Sequence, residues 1–385
     1  MKRLLIALLI ILLIPFNVQA YTDSNNTKAE IQNEKEIQSL YNYLTNVKTK
    51  YELLQDINPK EYVKNYIKTG RGKLSVKDVR KIVTTYVFKE IIASLKIMVM
   101  LIVICIISAL LKNLESAFNN DNLTNIAYFA CYSLIIIIIA KNFKIGIDIV
   151  TGTIKNMIDF MTALVPGLMV LLASVGGVVE AAVMDPIIIS IINIFAQIFL
   201  KFIIPIILMS FVLKFVNSIS EDYKISNLTK LSNQIALWTQ GILMTIFIGI
   251  VTIRGITSKT IDAVTAKTAK YAVDNFVPVV GKCLSDAIAT VAGYSLLLKN
   301  ALSSLGVIVI LAIIIVPIIK VLVIAFMYKL TSALVEPITD KKIVDCLNGT
   351  GDSLILLMST LICVSVMFFI LISIIAAAGS GVLGG

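Results

Sequence analysis

From Ile91 to its C-terminus the chain runs through six or seven apolar stretches, each near the ~20 residues a helix needs to cross hydrocarbon. No water-soluble core absorbs that much apolar surface: 58% of the 385 residues are hydrophobic and 15% are charged. In lipid every backbone polar group must be satisfied internally, and runs of this length select helices over barrel strands. The predicted class is therefore all-α: a polytopic α-helical membrane protein with six or seven spans.

The apolar stretches are Ile91 to Leu111, Ile126 to Ile147, Met161 to Val178, Pro186 to Val216, Ile235 to Ile253, Leu305 to Tyr328, and Ser353 to Ala378. Lys96 lies one turn inside the first and can snorkel to the interface. Lys and Arg in short loops normally set orientation. With seven spans and an outside N-terminus, the cytoplasmic side collects seven basic residues and the outer side nine, which fixes nothing. That outcome argues that some of these segments do not cross.

Residues 1–20 have the form of a secretory signal: Lys2 and Arg3, the apolar run Leu4 to Ile14, Pro15, and the small-residue site Val18-Gln19-Ala20. Cleavage after Ala20 or retention as a short anchor both start Tyr21 outside the cytoplasm. Residues 21–90 then form a small extracytoplasmic amphipathic helical region, with Ile31, Ile37, Leu40, Leu44, Tyr51 and Leu54 near one face and Asn58-Pro59 ending that helix. Residues 91–385 form the membrane domain. The net charge of +10 does not signal nucleic acid: residues 21–90 hold thirteen Lys/Arg interspersed with nine Asp/Glu, without a basic patch. Cys105, Cys131 and Cys363 lie in apolar runs, Cys283 and Cys346 in polar connectors, and no zinc or redox spacing links them. Free thiols are expected.

A correspondence links two halves of this domain. Pro166 and Pro205 are 39 residues apart, and so are Pro278 and Pro317; Val precedes the first of each pair and Ile-Ile follows the second. Residues 126–216 and 235–328 read as two copies of one unit, or as a chance alignment of two proline-kinked helices. Proline removes a donor and disfavours helix in the residue before it, so Val165-Pro166 and Val277-Pro278 are expected to break their helices. Paired interruptions at membrane depth point towards a transport path.

Between two spans, Thr265 to Ala287 places Lys270 four residues before Asp274 and Lys282 four before Asp286, around a corner at Pro278 and Gly281. It is too polar to face lipid as a crossing. It reads as a re-entrant hairpin or as a helix pair lying flat at the headgroups. Its small residues favour close helix contact within the protein or between subunits, which admits a homo-oligomer. Lys201 and Lys320, each near the second proline of a copy, either snorkel or face a cavity that they would make anion-preferring.

The chain contains no histidine, which excludes Ser/His and Cys/His nucleophile systems and HExxH zinc sites. No phosphate-binding glycine loop occurs, and nothing calls for a metal or cofactor. Gly349-Thr350-Gly351-Asp352 resembles the GxGD signature of intramembrane aspartyl proteases, yet no second aspartate sits on a facing span, and Asp352 or Ser353 suits a helix N-cap.

The words "VTIRGITS" from Val251, "TAKYAVDNFVPVVGKCLSDA", "SLLLKNAL" from Ser295 and "PIIKVLVIAFMYKLTSAL" from Pro317 resemble the stage III sporulation protein AE family of endospore-forming bacteria. The likeness in character covers nearly the whole chain. It implies a multipass protein in the mother-cell membrane around the forespore, part of a channel or secretion-like complex with other membrane proteins. It implies a separate ATPase partner and no catalytic residues. A stand-alone secondary transporter or permease is the alternative.

Overall fold

Backbone groups in hydrocarbon find partners only within their own segment, and the apolar runs form long helices accordingly. The computed structural model describes residues 38, 42–45, most of 51–69, and 76–378 apart from 119–120, 176–177, 220–224 and 277–280. Side chains within 114–128 and 254–289, among others, lie outside that description. All its regular elements are helical: α1 Pro59–Thr69, α2 Val76–Phe118, α3 Asp121–Ser174, α4 Val178–Ile198, a π turn Phe199–Ile203, α5 Ile204–Ile219, α6 Ser226–Phe276, α7 Gly281–Val335 and α8 Lys341–Ala377.

Among the described residues six helical segments are long and apolar enough to cross a membrane: Val83–Asn113, Phe129–Ser174, Pro186–Val216, Ser226–Ile253, Ala292–Val335 and Lys341–Ala377. The chain is an all-α polytopic membrane protein. The two expected spans Ile126 to Ile147 and Met161 to Val178 are one helix, α3, whose 54 residues extend about 80 Å. Lys141, Lys144 and Lys155, three of the nine basic residues assigned to the outer side, are thus on a helix rather than in a loop between two spans. The hydropathy boundary at residue 90 likewise falls inside α2, which runs unbroken from Val76 to Phe118.

The helices alternate in direction. Leu164 of α3 and Ile372 of α8 both close on Gly306 of α7, while Gly146 of α3 faces Leu354 and Leu357, so α3 and α8 run the same way. α7 runs against them, pairing Lys329 with Asp352 at one end and Lys299 with Ile375 and its neighbours at the other. Gln240 of α6 bonds Thr360 of α8, and Phe143 of α3 stacks on Phe211 of α5 at 3.6 Å. One continuous core fills the bundle, with Phe143, Phe160, Phe199 and Phe247 fully buried. The small N-terminal region docks on its side: Tyr62 of α1 hydrogen-bonds Ser304 at 2.9 Å, and Tyr43 stacks on Phe160.

Pro166 does not break its helix, and the other expected break, Val277-Pro278, lies outside the described residues. Pro166 lies inside α3 and Pro317 inside α7. Unwinding would expose several carbonyls to hydrocarbon, whereas a retained proline forfeits one bond, so the helix continues through it. Pro205 is accommodated differently: the π turn just before it lets Ile204 N–H reach Phe199 C=O, five residues back. Pro166 thus lies on α3, Pro205 on α5 and Pro317 on α7, while Pro278 falls outside the described residues. The π turn has no counterpart in α7, where the corresponding residues are regular helix.

Candidate functional site

The residues singled out by sequence do not converge on one site. Pro166 and Pro317 are half-buried within their helices, and Pro205 is exposed beside the π turn. Lys201 sits in that turn and points outward, while Lys320 is half-buried on α7. The π turn packs against α8 and α6, whereas the Ile319 to Met327 face of α7 packs on α2, so the two lysines serve different neighbourhoods. Pro278 lies outside the described residues. Gly281 starts α7, and the backbones carrying Lys270, Asp274, Lys282 and Asp286 are helical, but these side chains lie outside the description. Candidate spans stop at Ile253 and resume at Ala292 among the described residues.

What the fold does assemble are lysines fixed against the backbone of α8. The Gly349-Thr350-Gly351-Asp352 stretch lies inside α8, which starts at Lys341 with Asp340 at its N-cap, so Asp352 and Ser353 do not cap a helix. The glycines are there because two lysine stems cross them. A Cβ on Gly349 would lie 2.9 Å from Lys214 Cδ; one on Gly351 would lie 2.8 Å from Lys329 Cγ and 3.2 Å from the Ala325 carbonyl oxygen. Lys214 Nζ donates to Gly349 C=O at 2.8 Å and to Ser353 Oγ at 3.1 Å. Lys329 Nζ pairs with Asp352 at 2.7 Å and donates to Asn348 Oδ1 at 3.1 Å. The group facing Asp352 is thus an ammonium, and two-carboxylate acid catalysis lacks its geometry among the described residues. A further pair, Lys112 with Asp340, ties the end of α2 to the start of α8.

At the opposite end Lys299 of α7 is wholly buried. Its ammonium donates to the carbonyls of Ile375 (3.2 Å), Ala376 (3.1 Å) and Ala378, at the C-terminus of α8. A cation there meets the negative end of the helix dipole and the carbonyls that helix geometry leaves without partners. Sequence reasoning gave Lys299 no role beyond its place in the word "SLLLKNAL". The available signal was its position, three residues inside the apolar run Ser295 to Leu302.

A cavity of about 120 Å³ opens between α2, α3 and α7, with Glu90, Ser94, Asn142 and Thr331 at its wall. Tyr328 also borders it, with its hydroxyl near Asn142 but outside hydrogen-bond geometry. A second, about 10 Å³, lies among aromatic and aliphatic side chains of α4, α6 and α8. Neither continues through the bundle. No group of three or more Cys, Asp or Glu that could hold a metal occurs among the described residues, and Cys105, Cys131, Cys346 and Cys363 are free thiols.

The head carries its own electrostatic contact. Burial, with smaller contributions from Asp159 and Tyr51, pushes the Tyr43 phenol up from 10.0 to about 12. Burial raises Tyr51 and Tyr62 as well, the latter partly offset by its bond to Ser304.

Comparison with known proteins bears on this arrangement. No solved structure matches the chain. Stage III sporulation protein AE of Bacillus subtilis (strain 168) is 32% identical over 357 residues, which is 93% of this chain and 88% of that protein. The family profile described as stage III sporulation protein AE matches residues 57–379, from the foot of the docked head through the last helix. A match over that extent places the six-helix bundle in a known lineage: the chain belongs to the stage III sporulation protein AE family.

Proposed function

We propose that this protein is a non-enzymatic multipass membrane subunit of a channel or secretion-like complex connecting mother cell and forespore, needed for forespore development. Residues 1–20 direct it to the membrane, and residues 21–90 sit outside the cytoplasm. The assembled protein resides in the mother-cell membrane around the forespore. Its partners are other membrane proteins, including a separate ATPase that supplies energy.

The observation that carries this reading is the filled interior of the bundle. A stand-alone carrier needs a solute cavity near mid-membrane, closed by moving parts. Here the cavities described between the helices are small, about 120 and 10 Å³, and the roomier one, about 530 Å³, opens on the outer face of α6 around Trp238, which favours a subunit whose path is formed with neighbours.

The test is purification from sporulating cells in mild detergent. Stable recovery with other membrane proteins, an ATPase among them, is expected. Recovery as an isolated monomer, together with solute flux in liposomes containing this chain alone, would favour the transporter instead.

A further inference from the structure

Glu90 is a carboxylate set among lipid-facing neighbours. It lies on α2, about 10 Å inside the apolar segment Val83–Asn113 at the helical rise per residue. Phe88 and Ile92, on either side of it, are 67% and 68% exposed, as acyl-chain contacts are. An ionisable group at that depth is costly, and by default it marks a functional site whose partner has to be named. No salt bridge among the described residues supplies one. The adjacent Lys89 turns instead to the Tyr86 ring, 5.7 Å from its centroid.

The carboxylate borders the cavity of about 120 Å³ between α2, α3 and α7, and no basic residue lines that space. Its other polar wall residues, Ser94, Asn142, Tyr328 and Thr331, are only 1–8% exposed. Bonds already made bias what they can still offer. Thr331 Oγ1 gives its proton to Met327 C=O at 2.7 Å, and Asn142 Nδ2 donates to Ile138 C=O at 3.0 Å. The threonine oxygen and the amide oxygen are left as acceptors. Tyr328 is 3% exposed, and its hydroxyl is buried with no hydrogen-bond partner among the described residues. A buried hydroxyl in that state calls for a ligand or a water.

We propose that this cavity binds one hydrated monovalent cation. Glu90 supplies a single negative charge to match a single positive one, and neutral oxygens complete the shell. Calcium-type sites gather several carboxylates; this wall holds one. A water needs roughly 10–15 Å³ by the same measure, so the space admits an ion together with several waters. The rest of the wall, Leu101 and Ile324 among it, is apolar and strengthens the attraction by lowering the local dielectric. The site also has mechanical consequence. Of the six spanning segments that of α2 is the least covered by protein, 22% buried, and its far end is tied by Lys112 to Asp340. A cation held between Glu90 and the oxygens of α3 and α7 ties the near end. The inference does not depend on the conduit reading.

The test uses the full chain in phosphatidylcholine nanodiscs at fixed pH and ionic strength, with sodium or potassium chloride exchanged for the chloride of N-methyl-D-glucamine, a cation too bulky for the cavity. Sodium or potassium should raise the unfolding temperature saturably, by about 2 °C or more. Either ion should also slow amide exchange several-fold in peptides covering 88–101, with peptides covering 235–246 of α6 unchanged. Glu90→Gln keeps the shape of the side chain and removes its charge, so both responses should vanish. Glu336→Gln, at an exposed carboxylate, should leave them intact. Tyr328→Phe should raise the cation concentration needed several-fold. Unchanged exchange at 88–101 in the unaltered chain, a response that persists in Glu90→Gln, or an equal effect on every peptide would each overturn the proposal. The exchange comparison on the unaltered chain needs no variant, so it decides even where Glu90→Gln does not fold.

Discussion

Replacing Lys299 by Met keeps the length of the side chain and removes its ammonium. Three carbonyls then lose a donor: those of Ile375, Ala376 and Ala378. Ile375 C=O keeps the Ala378 N–H, so the carbonyls of Ala376 and Ala378 are the two that lose their donor among the described residues at the end of α8. A buried polar group without a partner costs about 1–3 kcal/mol, giving roughly 2–6 kcal/mol for two. The lost cation–dipole attraction adds about 1 kcal/mol. Against this, the variant no longer desolvates a charge, which returns several kcal/mol. The net global loss is therefore modest, about 1–3 kcal/mol, and the decisive signature is local. The final turn of α8 should open to water so that its carbonyls are solvated. A local loss of about 2 kcal/mol corresponds to roughly thirty-fold faster amide exchange. Hydrogen-exchange mass spectrometry on peptides covering 370–378, in nanodiscs, measures this directly. Unchanged exchange there, with unchanged thermal unfolding, would show that the lysine is not what holds the end of α8.

The two glycines of α8 should respond differently to alanine. Gly349→Ala meets only a movable lysine stem and gains helix propensity of about 1 kcal/mol, so it should be near neutral, whereas Gly351→Ala meets a backbone oxygen and should lower stability by about 1–2 kcal/mol. Equal thermal shifts in detergent would refute the close-approach explanation. Asp352→Asn breaks an exposed pair worth under about 1 kcal/mol and should leave sporulation intact; a complete block would restore a catalytic role for the carboxylate. Tyr43 has a folded-state value of about 12 against 10.0 unperturbed, so its contribution to head docking is complete below pH 10 and declines as pH rises through that interval. Protease sensitivity of the head should increase above pH 10, and Tyr43→Phe should flatten the dependence.

Much of the fold was legible in the sequence because lipid allows so few solutions. The first, fourth, fifth, sixth and seventh apolar stretches each lie on a spanning helix. α3 was not legible as one helix because Lys141 to Asp159 looks like a loop between two spans when only mean apolarity is weighed. Its buried side repeats at helical spacing, Phe143, Val150, Ile154, Met157 and Phe160, and that period was the available clue. Pro166 misled for a physical reason: the rules that end helices in water assume that water can take the freed carbonyls. Lys299 was opaque because its partners are main-chain oxygens more than seventy residues away, which side-chain pattern cannot reveal. The glycines of the GTGD stretch suggested a catalytic signature, whereas their surroundings show clearance for lysine stems.

The helices are longer than the layer they cross. α6 and α7, with 51 and 55 residues, each run about 80 Å, against a hydrocarbon thickness near 30 Å. Even strongly tilted, such rods leave much of their length in water. The protein thus carries its own helical scaffold beyond the thickness of the lipid layer.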